Sequence, residues 1–407
     1  MERASELGFN WLFVNPVQRP GESGSLYSIA DYFSFNPLLV DTASPLDAEA
    51  QLRDAIAEAG RLGLRVLADL VVNHCAVDSD LVRRHPEWFS WDANGRVAHP
   101  FAVDEGRKVV WTDLARFDHE HSRGAEGLYR YFRDVVEFLI GCGFSGFRCD
   151  AAYQVPPAFW TRLIGDTKAG HPGTLFFAET LGSSAADTRR TAAAGFDYIF
   201  NSSKWWDFAS PWLMEQYHLT RQVAPSVSFP ESHDTERLAE EVRGNVAAIR
   251  QRYFFAALFS AGVMIPIGFE YGFHRRLHVV NTRPIDWEAT SVDLTGFVEE
   301  VNGIKSAHAV FREESITQVL PYGNPRVLLM WKASPAAGDE ALLVLNTDTE
   351  HRQQFAARDL RAFVQSGAPL VDCSPGSRLD YLPCPFSYDL EPGQGLVLVA
   401  PGDSTPS

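Results

Sequence analysis

Four short stretches of this chain carry side chains suited to acid–base or nucleophilic chemistry. ADLVVNH (68–74) holds Asp69, Asn73 and His74, and GFRCD (146–150) holds Arg148 and Asp150. LFFAE (175–179) ends in Glu179, and SFPESHD (228–234) ends in His233 and Asp234. Each alone has an ordinary explanation: an aspartate caps a turn, a histidine fills an interior, an Arg/Asp pair ties a loop to its sheet. Together they bring carboxylates, imidazoles and a guanidinium to four successive strand ends, a convergence that packing alone disfavours because gathered charges cost desolvation. Within GFRCD, the two-residue period of a strand places Arg148 and Asp150 on one face and Phe147 and Cys149 on the other. An aspartate beside a fixed arginine stays ionised at neutral pH, as a carboxylate nucleophile must.

The elements that hold these residues alternate. SPLDAEAQLRDAIAEAGRL (44–62) opens with Ser44, Pro45 and Asp47 in helix-start positions and repeats apolar residues at Leu52, Ile56 and Ala59. It runs into LRVLADLVV, which alternates too little for a half-exposed strand and predicts one buried on both faces. Helical EGLYRYFRDVVEFLIGCG precedes strand FSGFRCD, and helical PPAFWTRLIGDT precedes strand TLFFAE. FDYIF and SVSFP read as strands, NVAAIRQRYFFAALFSA as a long helix and GVMIPIG as a further strand. So many β-then-α repeats predict an α/β fold of the (β/α)8 TIM-barrel type, whose chemistry sits at the carboxyl ends of the strands. Two regions break the rhythm. Residues 74–122 read as an inserted irregular subdomain, and residues 306–407 as a terminal antiparallel β-domain built on RVLLMWKAS, ALLVLNTD and GQGLVLVA. Residues 1–73 and 123–305 are then the catalytic barrel.

Composition narrows the function. A formal net charge of −16 over 407 residues argues against nucleic acid or anionic membrane as partner and favours a neutral substrate. Five scattered cysteines make neither a disulfide framework nor a zinc site. The first twenty residues do not read as a signal peptide, and no apolar stretch is long enough to span a bilayer. The expectation is a cytoplasmic protein.

DLVVNH, GFRCDAA, FFAE and FPESHD resemble, in order and spacing, the four motif regions of glycoside hydrolase family 13, the α-amylase family. GSLYSIADYFSFNP (24–37) is similar to the family's segment after its second barrel strand, and GVMIPIGFE (262–270) to its eighth strand. The resemblance implies a retaining enzyme that cleaves or transfers α-glucosidic units of α-glucans or maltooligosaccharides. Asp150 would be the nucleophile, Glu179 the acid and then base, and Asp234 the residue that favours the distorted ring. Tyr27, His74, Arg148 and His233 would line the subsite of the attacked sugar, and Asp69 would support the site without touching sugar. Retention independently asks for a nucleophile and an acid about 5 to 5.5 Å apart, which two strand ends can supply. No organic cofactor is implied. Asn73 matches a calcium ligand of many members, and with no partner ligands evident the metal is left open. Trp88, Trp91, Trp111, Trp205 and Trp206 are candidates for stacking on sugar or for the core, and Cys149 reads as core.

The chain also departs from the pattern. NWLFVNP, which matches the second barrel strand, begins at residue 10, so the barrel is predicted to lack its first strand, to have about seven and to leave an open edge. Tyr153 and Gln154 stand where many amylases carry Lys-His. The HPEWF and FRCDAAYQVP contexts are more loosely similar to the family's maltosyltransferase branch, which points to transfer as readily as hydrolysis. The rival readings are a non-catalytic carbohydrate-binding barrel and an inactive truncated fragment.

Overall fold

The computed structural model describes residues 1–104, 107–121, 123–376 and 378–402. The chain divides into two compact units: Met1–Ser5, Phe9–Phe200 and His278–Thr282 form one, and Glu6–Gly8, Asn201–Leu277 and Arg283–Ser407 the other.

The first unit is built on five parallel strands, β1 (Trp11–Val14), β2 (Arg65–Leu70), β3 (Gly146–Cys149), β4 (Leu175–Ala178) and β5 (Tyr198–Phe200), which lie side by side in chain order. Helices α1 (Ala48–Arg61), α2 (Ala125–Gly141) and α3 (Pro157–Gly170) alternate with them. Asp47 caps α1 by accepting the Ala50 amide at 2.8 Å. α2 buries Leu128, Phe132, Val135, Val136 and Leu139, one stripe at helical spacing, each contributing about 1.5–3 kcal/mol of hydrophobic stabilisation. β3 is buried at all four residues, Arg148 included. It begins with glycine for a steric reason: a Cβ on Gly146 would come 2.6 Å from the Leu175 carbonyl oxygen of the neighbouring strand.

Segment 74–121 is more regular than its sequence suggests. His74–Ala76 pairs with Leu114–Arg116, Phe101–Asp104 pairs with Arg107–Val110, and Asp80–Arg84 is a short helix capped by Ser79. Runs of three or four residues are too short for periodicity to reveal.

The second unit contains the parallel pair β6 (Ser226–Ser228) and β7 (Gly262–Val263), with α4 (Val246–Phe259) between them in sequence. Among the described residues the two units thus carry seven parallel strands, the number expected. α4 is buried nearly all round, from Ala248 to Phe259, and so shows no amphipathic stripe. The strand expected over GVMIPIG stops early. The Met264 amide still donates to Ser228 at 3.0 Å, but Pro266 has no N–H to donate and Gly268 turns left-handed at φ 91°. Helix α5 (Thr295–Ala307) follows. The terminal strands β8 (Ile316–Leu320), β9 (Val327–Ala333), β10 (Glu340–Asn346), β11 (Val371–Asp372) and β12 (Gly395–Ala400) form an antiparallel sheet in the order β8-β9-β10-β12-β11. Leu329, Leu342, Val344, Phe355, Phe386 and Leu398 are among its core residues. The divisions at 74–122 and 306–407 remain proposed subdivisions inside these two units.

Among the described residues no helix is long and apolar enough to cross a membrane. All five cysteines are free, and Cys149 is fully buried in β3 with its thiol pushed well up by burial.

Candidate active site

The pairing of β2 with β3 sets Asp69 directly opposite Arg148. Arg148 Nη1 donates to both Asp69 oxygens, at 3.1 and 3.0 Å, and to Asp150 Oδ1 at 2.7 Å. The side chains of Arg148 and Asp69 are 4% and 0% exposed, while that of Asp150 is 15% exposed. The Tyr27 hydroxyl completes the cluster with a 2.6 Å bond to Asp69 Oδ2. Burial pushes the Asp69 carboxyl up to about 7, against the pull of Arg148 and the Tyr27 hydroxyl. Burial disfavours the charge of Arg148, but Asp69, Tyr27 and Asp150 hold its guanidinium well above the ordinary arginine range. The expected Arg148–Asp150 pair is therefore present, but its cation is shared with a third, fully buried side chain.

The turn after β3 links Asp150 to Glu179. The Asp150 amide donates to the Leu70 carbonyl at 3.1 Å, and Ala151 takes a left-handed conformation at φ 42°. A non-glycine residue held there stores on the order of 1–3 kcal/mol of strain. The conformation aims the Ala151 amide at Glu179 Oε2, 2.9 Å away, while the Leu181 amide donates to Oε1 at 2.6 Å. Glu179 is 8% exposed, so these two bonds fix its carboxyl group in a nearly dry setting. Trp160 of α3 locks the same turn through a 2.9 Å bond from Nε1 to the Ala152 carbonyl.

His74 follows β2 by four residues and is 6% exposed. Among the described residues neither of its ring nitrogens has a hydrogen-bond partner, and burial lowers its basicity. Its backbone, by contrast, is pinned. The Tyr32 hydroxyl donates to the carbonyls of His74 and Val71 at 2.8 and 3.0 Å, and His119 Nε2 donates to that of Val72 at 2.7 Å. Asn73 donates through its side-chain amide to Gln154 at 3.2 Å, and its carbonyl accepts from the Phe117 amide at 3.1 Å. Among the described residues no group of three or more His, Cys, Asp or Glu is placed to hold a metal ion. Tyr153 and Gln154 touch each other at 3.3 Å on the short helical turn behind Ala151.

His233 and Asp234 belong to the second unit, in the loop after β6, with His233 Nε2 3.3 Å from Asp234 Oδ2. Their side chains are 9% and 50% exposed. Of the candidate tryptophans, Trp88 and Trp206 are core residues. Trp88 stacks on His85 at 3.9 Å, and Trp206 donates to the Ser210 carbonyl at 2.7 Å. Trp91, Trp111 and Trp205 are exposed.

Sequence reasoning missed the amide of Ala151 and the pins of Tyr32 and His119. The Asp69–Arg148 contact had a signal, since both residues sit next to the last position of adjacent strands. Nothing in the residue type announces a left-handed alanine.

A family model described as "Glycogen debranching enzyme, glucanotransferase domain" matches residues 1–94. The chain is 26% identical over 388 residues to the alpha-1,4-glucan:maltose-1-phosphate maltosyltransferase of Burkholderia pseudomallei, covering 91% of this chain and 34% of that protein. It is 25% identical to the enzyme of the same name from Arcanobacterium haemolyticum, covering 89% of this chain and 55% of that one. The chain thus spans from a third to just over half the length of these relatives. Among solved structures, an alpha-amylase from Lactobacillus plantarum superposes with a TM-score of 0.72 at 21% identity, covering 98% of this chain and 92% of that one. That likeness is one of fold, the barrel with a terminal antiparallel sheet.

Proposed function

We propose, from the premise that this chain belongs to the α-amylase family, glycoside hydrolase family 13, that it is a retaining enzyme acting on α-linked glucose units. The observation that carries the reading is the shared Arg148: one buried guanidinium orients Asp150 through Oδ1, one turn away from a Glu179 gripped by that turn's own amide.

Asp150 Oδ2 attacks the anomeric carbon while the bond to the leaving oxygen breaks. Glu179 gives that oxygen its proton, and a glycosyl-enzyme ester remains. Glu179, now a carboxylate, takes a proton from the incoming water or sugar hydroxyl, which attacks the ester carbon and frees Asp150 with net retention. Arg148 orients Asp150 before attack and pairs with it as the departing carboxylate. His74, whose ring sits in a nearly dry site with no side-chain hydrogen-bond partner among the described residues, suits a sugar hydroxyl. Tyr27 lines the same subsite. Asp234 and His233 are assigned to ring distortion and hydroxyl binding by their motif match at the end of β6. The substrates are α-glucans or maltooligosaccharides. Relatives named as maltosyltransferases support transfer to a sugar acceptor, and hydrolysis is the same chemistry with water. The setting is cytoplasmic, in keeping with five free cysteines.

The test is intact mass after incubation with 5-fluoro-α-glucosyl fluoride, beside an Asp150→Asn control. An adduct on the wild type alone establishes the ester and its residue. A folded wild type that takes no label favours a non-catalytic carbohydrate-binding barrel.

A further inference from the structure

The side chain of Asp234 is 50% exposed and lies 3.3 Å from His233 Nε2, and its aim also depends on the backbone beneath. That backbone is unusually well secured. Glu231 and Arg237 flank it and form an ion pair of 2.7 Å with both side chains 2% exposed. The second oxygen of Glu231 accepts the Leu238 amide at 2.5 Å, which closes the 231–238 loop on itself. Arg237 also reaches into the loop after β7, donating from Nη2 to the Ile267 carbonyl at 2.8 Å and from Nε to the Arg275 carbonyl at 3.1 Å. The adjacent Arg276 returns the contact, donating from Nη2 to the main-chain carbonyl of Asp234 itself at 2.9 Å. The loop after β7 is braced in turn, since Glu288 accepts the amides of His274 and Arg275 at 3.0 and 2.7 Å.

We infer that Arg276 and Arg237 are positioning residues for Asp234, forming a clamp between the loops after β6 and β7 that holds the carboxylate where the distorted sugar needs it. The inference rests on the proposed role of Asp234. Arg237 is the buried half, and its loss would strand the Glu231 charge and endanger folding. Arg276 is exposed and is the half that can be varied in a folded protein. The interaction it protects matters in the transition state more than in the ground state, so its loss falls on kcat.

The experiment compares wild type, Arg276→Ala and Arg276→Lys in fluoride release from α-maltosyl fluoride, with circular dichroism confirming the fold of each. Misplacing one carboxylate should lower kcat of Arg276→Ala by about 10-fold to 100-fold. KM should stay within about two-fold, and lysine, which can still donate to the same carbonyl, should restore part of the rate. An unchanged kcat in Arg276→Ala, or a loss carried wholly by KM, overturns the positioning role and leaves the glycosidase reading intact. A folded wild type that releases no fluoride overturns that reading and this inference with it.

Discussion

His119 makes the stability of this protein depend on pH in a way the structure lets one calculate. Its ring lies against Phe159 at 4.4 Å, with Phe117 and Phe132 slightly farther, and Nε2 bonds the Val72 carbonyl at 2.7 Å. A carbonyl can only accept, so that nitrogen carries the proton of a neutral ring. Burial lowers the pKa of the imidazole from 6.5 to about 4. The unfolded chain therefore binds a proton that the folded one refuses. Stability is full above pH 6.5 and is lost as pH falls through the window down to about 4. Integrated between pH 7 and pH 5, the loss is about 2 kcal/mol. The assay is urea unfolding at pH 7, 6 and 5 for wild type and His119→Gln, whose amide can still donate to Val72 but does not titrate. Wild type should lose about 2 kcal/mol more than the variant across that range. His74, also lowered by burial, contributes equally to both proteins and cancels. Parallel pH profiles would refute the argument.

Other substitutions test the site more directly. Tyr27→Phe removes the donor to a fully buried carboxylate and should cost about 1–3 kcal/mol of stability in denaturant titration. Arg148→Met strands Asp69 in the interior and should cost about 3–5 kcal/mol while abolishing labelling by the fluorinated sugar. Glu179→Gln should still form the glycosyl ester from a sugar fluoride, whose leaving group needs no proton, but should fail with an unactivated maltooligosaccharide; mass spectrometry separates the two. Trp88→Ala should destabilise by about 3–5 kcal/mol as a core deletion, whereas exposed Trp205→Ala should leave the melting point nearly unchanged.

Much of this architecture was readable from residue order. The run LRVLADLVV announced a strand buried on both faces, FSGFRCD announced a further strand, and the spacing of Leu128, Phe132 and Val135 announced the helix between them. The end of β7 was misjudged because Pro266 and Gly268 sit inside an apolar run whose hydrophobicity outweighed their backbone restrictions. At the site, residue type exposed the charged side chains but not the main-chain groups that organise them. The Ala151 amide is present in every possible conformation of the chain, and only the tertiary turn locked by Trp160 points it at Glu179. For the same reason the acceptors of Arg237 and Arg276, the main-chain carbonyls of Ile267, Arg275 and Asp234, are not announced by residue type.

The sharing of one guanidinium has an electrostatic consequence for what the Arg148 cluster attracts. Arg148 can cancel only one of the two carboxylates it bonds, and Glu179 adds a further negative charge as it gives up its proton. A neutral sugar leaves that imbalance untouched. A ring that acquires positive character as its glycosidic bond stretches corrects it, and so does a sugar mimic bearing a protonated amine in place of the ring oxygen. The protein should therefore discriminate between such a mimic and its uncharged carbon analogue far more strongly than between two neutral sugars of similar shape.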